Sequence, residues 1–326
     1  MNGSSKLARL VADNFIWVLV IVFLLVASIT LPRFFSSTNF INMLYHSAAI
    51  SMMILGMSFC LLANKMDLSI ESTFAIAPAI GVLVVTKWVP GVPPSMSVLI
   101  ALAVGAGIGL INGLLVVKLK INSFLATLAM LIILRGLLVY ILPQGIWDVP
   151  ALINFLGSAN MAFGEINIPI AIPIYVLLFI FAGFVVSNTS FGKNLIAVGS
   201  NPVAAFIAGI NIERIYILVF VISGVCAAFG GILLGGRIGS MLNGMGEGDI
   251  LLVFAGTVLG GISLDGGKGK ITNALGGALL LTIISTILNF SGVSPFIIKA
   301  IQGLILLAAM IMSNFSNVVT GRASRA

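Results

Sequence analysis

Ten long apolar runs, divided by short polar stretches, dominate the chain: 15 to 31, 41 to 63, 68 to 86, 98 to 117, 123 to 142, 169 to 187, 214 to 236, 250 to 263, 271 to 290 and 296 to 314. About 20 helical residues cross a hydrocarbon core of about 30 Å, and a spanning backbone must satisfy its own polar groups, so runs of this length predict transmembrane α-helices. Two runs break the pattern. The run at 250 to 263 is short and Gly-rich, and that at 68 to 86 carries Glu71 and Pro78, so both are expected to be broken or partly re-entrant. The expected fold class is an all-α integral membrane protein of about ten transmembrane helices.

A faint internal repeat runs at an offset near 167. Residues 122 to 136 lead into Leu134-Arg135-Gly136-Leu137 and residues 289 to 303 into Ile301-Gln302-Gly303-Leu304, while Ile54-Leu55-Gly56 and Ile222-Ser223-Gly224 stand 168 apart. Chance likeness between apolar helices is one reading. The other is a true repeat over about 15 to 142 and 169 to 314, within a single transmembrane domain spanning 1 to 326. Each half would then hold five spans, and an odd number makes the halves inverted, with a pathway at their interface near the midplane. Glycines inside runs, such as Gly105, Gly109, Gly231 and Gly277, serve close helix packing or act as hinges.

Composition agrees with the pattern: 60% hydrophobic and 8% charged residues, with a mean hydropathy of +1.22, against about 25% charged in an ordinary soluble domain. Short cytoplasmic loops collect Lys and Arg. With the N-terminus inside, eleven of the 16 Lys and Arg residues are cytoplasmic (Lys6, Arg9, Lys65, Lys118, Lys120, Lys193, Arg214, Lys268, Lys270, Arg322 and Arg325). Three (Arg33, Lys87, Arg237) are external, and Arg135 and Lys299 lie in runs. Both termini are therefore expected in the cytoplasm. The net charge of +7 is a topology signal, and with no basic cluster on a polar face a nucleic-acid partner is not expected. The first run is too long for a signal-peptide core and precedes Pro32-Arg33 with no small-residue cleavage site, so a retained helix is expected. Cys60 and Cys226 fall in apolar runs and read as small hydrophobes.

The most informative polar-flanked segment is the loop 188 to 213. Asn201 suits an N-cap, Pro202 the first helical position, Val203 to Ala208 the body and Gly209 the residue past the end, which predicts a helix of about two turns. So short a helix is marginal alone in water, and Val203, Ala204, Ala205, Phe206 and Ile207 make it mostly apolar. It calls for a partner groove, which Ala204 or Ala205 would fit closely.

The phrase Gly199-Ser200-Asn201-Pro202-Val203-Ala204-Ala205 through Gly209-Ile210, followed by Ser223-Gly224, resembles the coupling segment of bacterial ribose-type permeases of ATP-binding-cassette importers, within the branched-chain amino acid/ribose permease family. Two more stretches match that family, Met66-Asp67-Leu68-Ser69-Ile70-Glu71-Ser72 and Gly246-Glu247 with Ala255 to Gly269. The resemblance runs in order from about 15 to 315. It implies a multi-pass permease subunit of the bacterial inner membrane that translocates a monosaccharide or related polyol. It implies as partners a second permease copy or paralogue, membrane lipid, cytoplasmic ATPase subunits and a periplasmic sugar-binding protein. It also implies no cofactor in this chain, ATP being used by the partner, and a helix at 202 to 208 docked in a groove of the ATPase. Glu71 stands where the family usually has Gly, and a carboxylate inside a membrane needs a partner or water.

Asp67 and Glu71, four apart, would share a helical face if helical throughout; Asp67 with Ser69 either caps the third span or takes part in gating. Asn112, Ser123, Thr127, Asn289 and Gln302 are candidate pathway groups or interhelical glue. Rival chemistries fail on the residues. A phosphate loop ending at Lys268 would need Gly at 262 and Ser or Thr at 269, where Ile and Gly stand; the stretch 264 to 270 reads instead as a tight cytoplasmic turn. Gly246-Glu247-Gly248-Asp249 fits a G-x-G-D protease pattern, but none of the four tyrosines precedes an Asp. His46 is the only histidine, better suited to a helix interface than to a metal site. An enzyme is not expected. The alternative transporter class is an ion-coupled secondary carrier of a small polar solute, which would gather ionisable groups at the midplane; Arg135 is the clearest such group here.

Overall fold

The computed structural model describes residues 14–31, 34, 36–164 and 166–319; the chain ends assigned to the cytoplasm lie outside the described residues. Each predicted apolar run meets one apolar helix: α1 (Phe15–Thr30), α2 (Ser37–Leu62), α3 (Ile70–Leu83, prolonged by a π turn over Val84–Trp88), α4 (Met96–Val117) and α5 (Ser123–Ile141) in the first half. In the second half, α7 (Ala171–Asn188), α10 (Ile212–Ile238), α11 (Ile250–Leu259), α12 (Ile271–Phe290) and α13 (Pro295–Val319) correspond. Among the described residues seven of these are long and apolar enough to cross a membrane, and α1, α11 and Pro295–Ala308 of α13 are shorter apolar helices. Outside the runs lie α6 (Ala151–Ser158), the antiparallel hairpin β1 (Asn160–Phe163) and β2 (Ile166–Pro169) with Asn160 opposite Pro169, α8 (Ser190–Ser200) and α9 (Pro202–Ile207).

Local chemistry sets the boundaries. Ser36, Asn122 and Asn211 each accept a backbone N–H at the start of α2, α5 and α10, from Asn39, Phe124 and Arg214 at 3.1, 2.9 and 3.0 Å, as N-caps do. Gly239 ends α10 at φ +68°. The centre is α10 packed on α4, α2 and α3. Gly105 and Gly224 press on each other's backbones and Gly109 on Phe220, with no space for a Cβ, so the packing reading holds for these glycines.

The break expected in the run 68 to 86 falls before Ile70 and not at Pro78. Residues 64–69 are non-helical, with Asp67 and Ser69 buried and Lys65, Met66 and Leu68 half-buried. Irregular backbone at such depth is tolerated where protein groups satisfy it: the N–H of Met66 donates to Ser123 Oγ at 3.3 Å and that of Leu68 to Thr127 Oγ1 at 3.0 Å. Pro78 sits inside α3 without ending it. The Phe74 carbonyl, which Pro78 deprives of a helical donor, is packed directly against Gly231 of α10. A second non-helical stretch, 239–249, leads from α10 back into the bundle before α11.

Candidate coupling and translocation site

At one end of the bundle the chain reverses through α8 and α9. Asn201 Oδ1 accepts the Ala204 N–H at 3.0 Å, Pro202 fills the first turn, and Gly209 takes φ +80°, so the punctuation read from sequence holds. Val203, Phe206 and Ile207 are 68%, 72% and 80% exposed. Ala204 is exposed too, whereas Ala205 is buried against the chain itself. That corrects one expectation: Ala205 anchors α9 to its own subunit, and the surface free to meet a partner is Val203, Ala204, Phe206 and Ile207.

The preceding α8 was invisible to the apolar pattern because Gly192 and Gly199 interrupt it. Thr189 caps it, accepting the Gly192 N–H at 3.3 Å, and Leu195, Val198 and Gly199 turn inward. Gly199 meets the Leu62 carbonyl so closely that a Cβ cannot fit. That carbonyl also accepts the Gly267 N–H at 2.9 Å, while Ser200 Oγ donates to the Gly267 carbonyl at 3.4 Å. The turn Gly266-Gly267, at φ +79° and +67°, thus joins α8 to the end of α2. Beside this junction Lys65 Nζ lies 4.4 Å over the Tyr216 ring, and burial lowers its pKa.

From this junction residues 64–69 enter the bundle and carry Asp67, 1% exposed. Asp67 Oδ1 accepts from the Ser69 N–H and hydroxyl at 3.1 and 2.6 Å, and Oδ2 accepts from Ser223 Oγ of α10 at 2.7 Å. Asn112 Nδ2 of α4 donates to Ser69 Oγ at 2.7 Å. Ser69, not Asp67, is the N-cap residue of α3; Asp67 closes the turn before it and ties that turn to α10.

Because helix begins only at Ile70, Asp67 and Glu71 do not share a face. Glu71 has the partner its burial demands: Arg135 Nη2 of α5 lies 3.2 Å from Oε1, and Oε2 accepts the Ile250 N–H at 3.1 Å. Arg135 Nη1 donates to the carbonyls of Asn243 and Met245 at 2.8 and 3.2 Å, so this pair holds the stretch 239–249 against α3 and α5. Among the other candidates, Gln302 Nε2 donates to Ser285 Oγ at 3.1 Å, and Asn289, exposed, donates to the Ser285 carbonyl within its own helix at 2.8 Å. Ser223, Ser200 and Leu62 take part in these contacts without any sequence signal that singled out their roles.

A helical bundle with two non-helical entries and a short, exposed apolar helix at one end has the build of a membrane transport subunit. The profile of the family described as branched-chain amino acid transport system / permease component matches residues 39–310, and the chain belongs to that family. It is similar to the ribose import permease protein RbsC of Escherichia coli K12, 32% identical over 90% of this chain and 91% of the relative. It is similar also to the L-arabinose transport system permease protein AraH of the same strain (35%; 90% and 88%) and to its galactose/methyl galactoside import permease protein MglC (30%; 96% and 97%). No solved structure matches the chain.

Proposed function

We propose that the chain is the membrane-spanning permease of an ATP-binding-cassette importer that translocates a monosaccharide or related polyol. The sugar is delivered by a periplasmic binding protein, and separate cytoplasmic ATPase subunits act through α9. The observation that carries the reading is the apolar face of α9. A six-residue helix that leaves Val203, Phe206 and Ile207 in the open while rigidly joined to α8 has the form of an element that fits a partner groove. The named relatives are permease proteins for ribose import, L-arabinose transport and galactose/methyl galactoside import, which supports a monosaccharide. ATP is the partner's cofactor, and this chain is a transport subunit and not an enzyme.

The junction of Gly199, Gly267 and Leu62 gives α9 a route into the membrane: displacement of α8 bears on residues 63–69, hence on Asp67 and its bond to Ser223. In this reading Asp67, Ser69 and Asn112 form a gating layer, Glu71 with Arg135 holds the opposite entry, and the loop 188–213 couples them to ATP. The subunit lies multi-pass in the bacterial inner membrane with α9 and both termini cytoplasmic, and pairs with a second permease copy or a paralogue.

An inverted arrangement of two five-helix halves is supported by packing, with α2 to α5 matched to α10 to α13. The contact of α10 with α4 answers that of α2 with α12, α3 with α4 answers α11 with α12, and α3 with α5 answers α11 with α13. Each half has one non-helical entry, 64–69 and 239–249, from opposite ends. The matching helix starts 37 with 212 and 96 with 271 stand 175 apart, 70 with 250 stand 180 apart and 123 with 295 stand 172 apart, near the sequence offset of 167 to 168.

The test is co-purification with the ATPase subunit of the importer. Phe206→Glu places a charge on the exposed apolar face without touching the subunit's core, so the variant should insert normally and lose its ATPase. Full retention of the ATPase by Phe206→Glu would remove the coupling role of α9.

A further inference from the structure

A cavity of about 260 Å³ lies between α2, α3, α10, α11 and α12, in the half of the bundle away from α9. Its lining is partly apolar, with Ile54, Phe74 and Leu281, and brings in His46, Arg237, Asp249, Thr282 and Ser285 from four elements. No assigned role covers it. We propose that this cavity binds one neutral polyhydroxylated ring, a single monosaccharide; the proposal rests on the sugar-permease reading and names where within one subunit the sugar sits.

The polar groups are held in place and have capacity left over. Arg237 Nη2 lies 2.7 and 2.8 Å from the ring nitrogens of His46, and the guanidinium stacks 4.3 Å from the Tyr45 ring centroid. Tyr45 itself donates to the Gly157 carbonyl of α6. Arg237 was counted as an external loop residue from sequence; it stands in the last turn of α10, on the cavity wall. The Asp249 carboxylate accepts no hydrogen bond among the described residues, although it stands at the start of α11 where the chain is already fixed by Glu71 and Arg135. Ser285 Oγ accepts from Gln302 Nε2 at 3.1 Å, which leaves its proton free to donate. Thr282 Oγ1 donates to the Ala278 carbonyl at 2.9 Å, which leaves its lone pairs free to accept.

The lining therefore offers donors from Arg237 and Ser285 and acceptors from Asp249 and Thr282, while Ile54, Phe74 and Leu281 offer only carbon. A sugar hydroxyl both donates and accepts, and a ring has an apolar face. A permanent anion would meet Asp249 and a permanent cation Arg237, so a ligand without net charge is the one that leaves neither opposed, and the hydroxyls of Thr282 and Ser285 beside an apolar lining favour a polyol among such ligands. The volume falls below the about 300 Å³ at which pockets for drug-sized molecules begin, which suits one ring and not two.

The test uses the full chain in lipid nanodiscs with the buried Cys60 and Cys226 replaced by Ala. The reporter is Ile50→Cys, on the cavity lining, which leaves every polar wall group intact. At least one of D-ribose, L-arabinose and D-galactose should slow thiol modification at Ile50→Cys about fivefold, the effect of filling about four sites in five. Anionic gluconate and cationic glucosamine should not, exposed Ser187→Cys should be indifferent to all, and Asp249→Asn should abolish the protection at Ile50→Cys. Modification rates at Ile50→Cys that ignore all three sugars, or that fall equally with gluconate, overturn the proposal. Uptake by the complete transporter is scored separately. Protection without uptake leaves the site standing and removes the import reading; uptake without protection removes the site and leaves the import reading.

Discussion

Removing Arg135 should be the most costly single change inside the bundle. Its side chain is 16% exposed and that of Glu71 6%, so the pair is shielded from water. Arg135→Gln deletes the 3.2 Å ion pair and places at risk both carbonyl contacts, to Asn243 and Met245. It leaves the Glu71 carboxylate buried, with the Ile250 N–H as its remaining partner. Breaking a buried pair from one side costs about 3–5 kcal/mol, chiefly because the surviving charge is uncompensated. Glu71→Gln is milder, since an amide oxygen can still accept from Ile250 and Arg135 keeps its carbonyls. The double variant, Glu71→Gln with Arg135→Gln, has no unpaired charge and should recover part of the loss, a coupling of more than about 1 kcal/mol. Where 1 kcal/mol moves a melting temperature by about 2–4 °C, Arg135→Gln should melt about 10 °C below the parent in detergent. Additive single effects, or a loss under about 1 kcal/mol for Arg135→Gln, would refute a paired and shielded Glu71.

Ser223→Ala removes one of the donors to the buried Asp67 carboxylate and should cost about 1–3 kcal/mol, read by the same melting assay, with uptake reduced more than stability if Asp67 gates. Gly199→Val forces a side chain onto the Leu62 carbonyl; it should separate α8 from the bundle, seen as new protease cleavage in 188–213. The purified chain alone should neither bind nor hydrolyse ATP, tested by nucleotide binding and phosphate release. Impermeant thiol labelling at Ser4, Ser187 and Ser324 in spheroplasts, each as a Cys variant, should fail at all three; labelling at any one reverses the proposed orientation.

Each of the ten apolar runs located an apolar helix, and among the described residues seven of these reach the length that bilayer thickness demands. Asn201, Pro202 and Gly209 located α9 because caps and turn residues act locally. What the pattern could not reveal was tertiary. Asp67 and Glu71 look like one helical face until Ser123 and Thr127, more than fifty residues away, are seen to hold the chain out of helix at 64–69. Ala205 looks like part of an outward face, yet which side of a six-residue helix turns inward depends on its packing against α8. The pairing of Glu71 with Arg135 was foreshadowed only as a need: a membrane carboxylate without a visible partner, and a mid-span cation likewise. The cavity is beyond sequence, since His46, Arg237, Asp249 and Ser285 come from elements with no shared motif.

The most direct test of the central claim is uptake of labelled D-ribose, L-arabinose and D-galactose into proteoliposomes holding this permease with the importer's ATPase subunits, ATP sealed inside and the binding protein outside. The account predicts accumulation of one of the sugars that requires ATP, the binding protein and the ATPase, and that is lost with Phe206→Glu. Accumulation driven by a proton or sodium gradient in vesicles that contain this chain alone would contradict it.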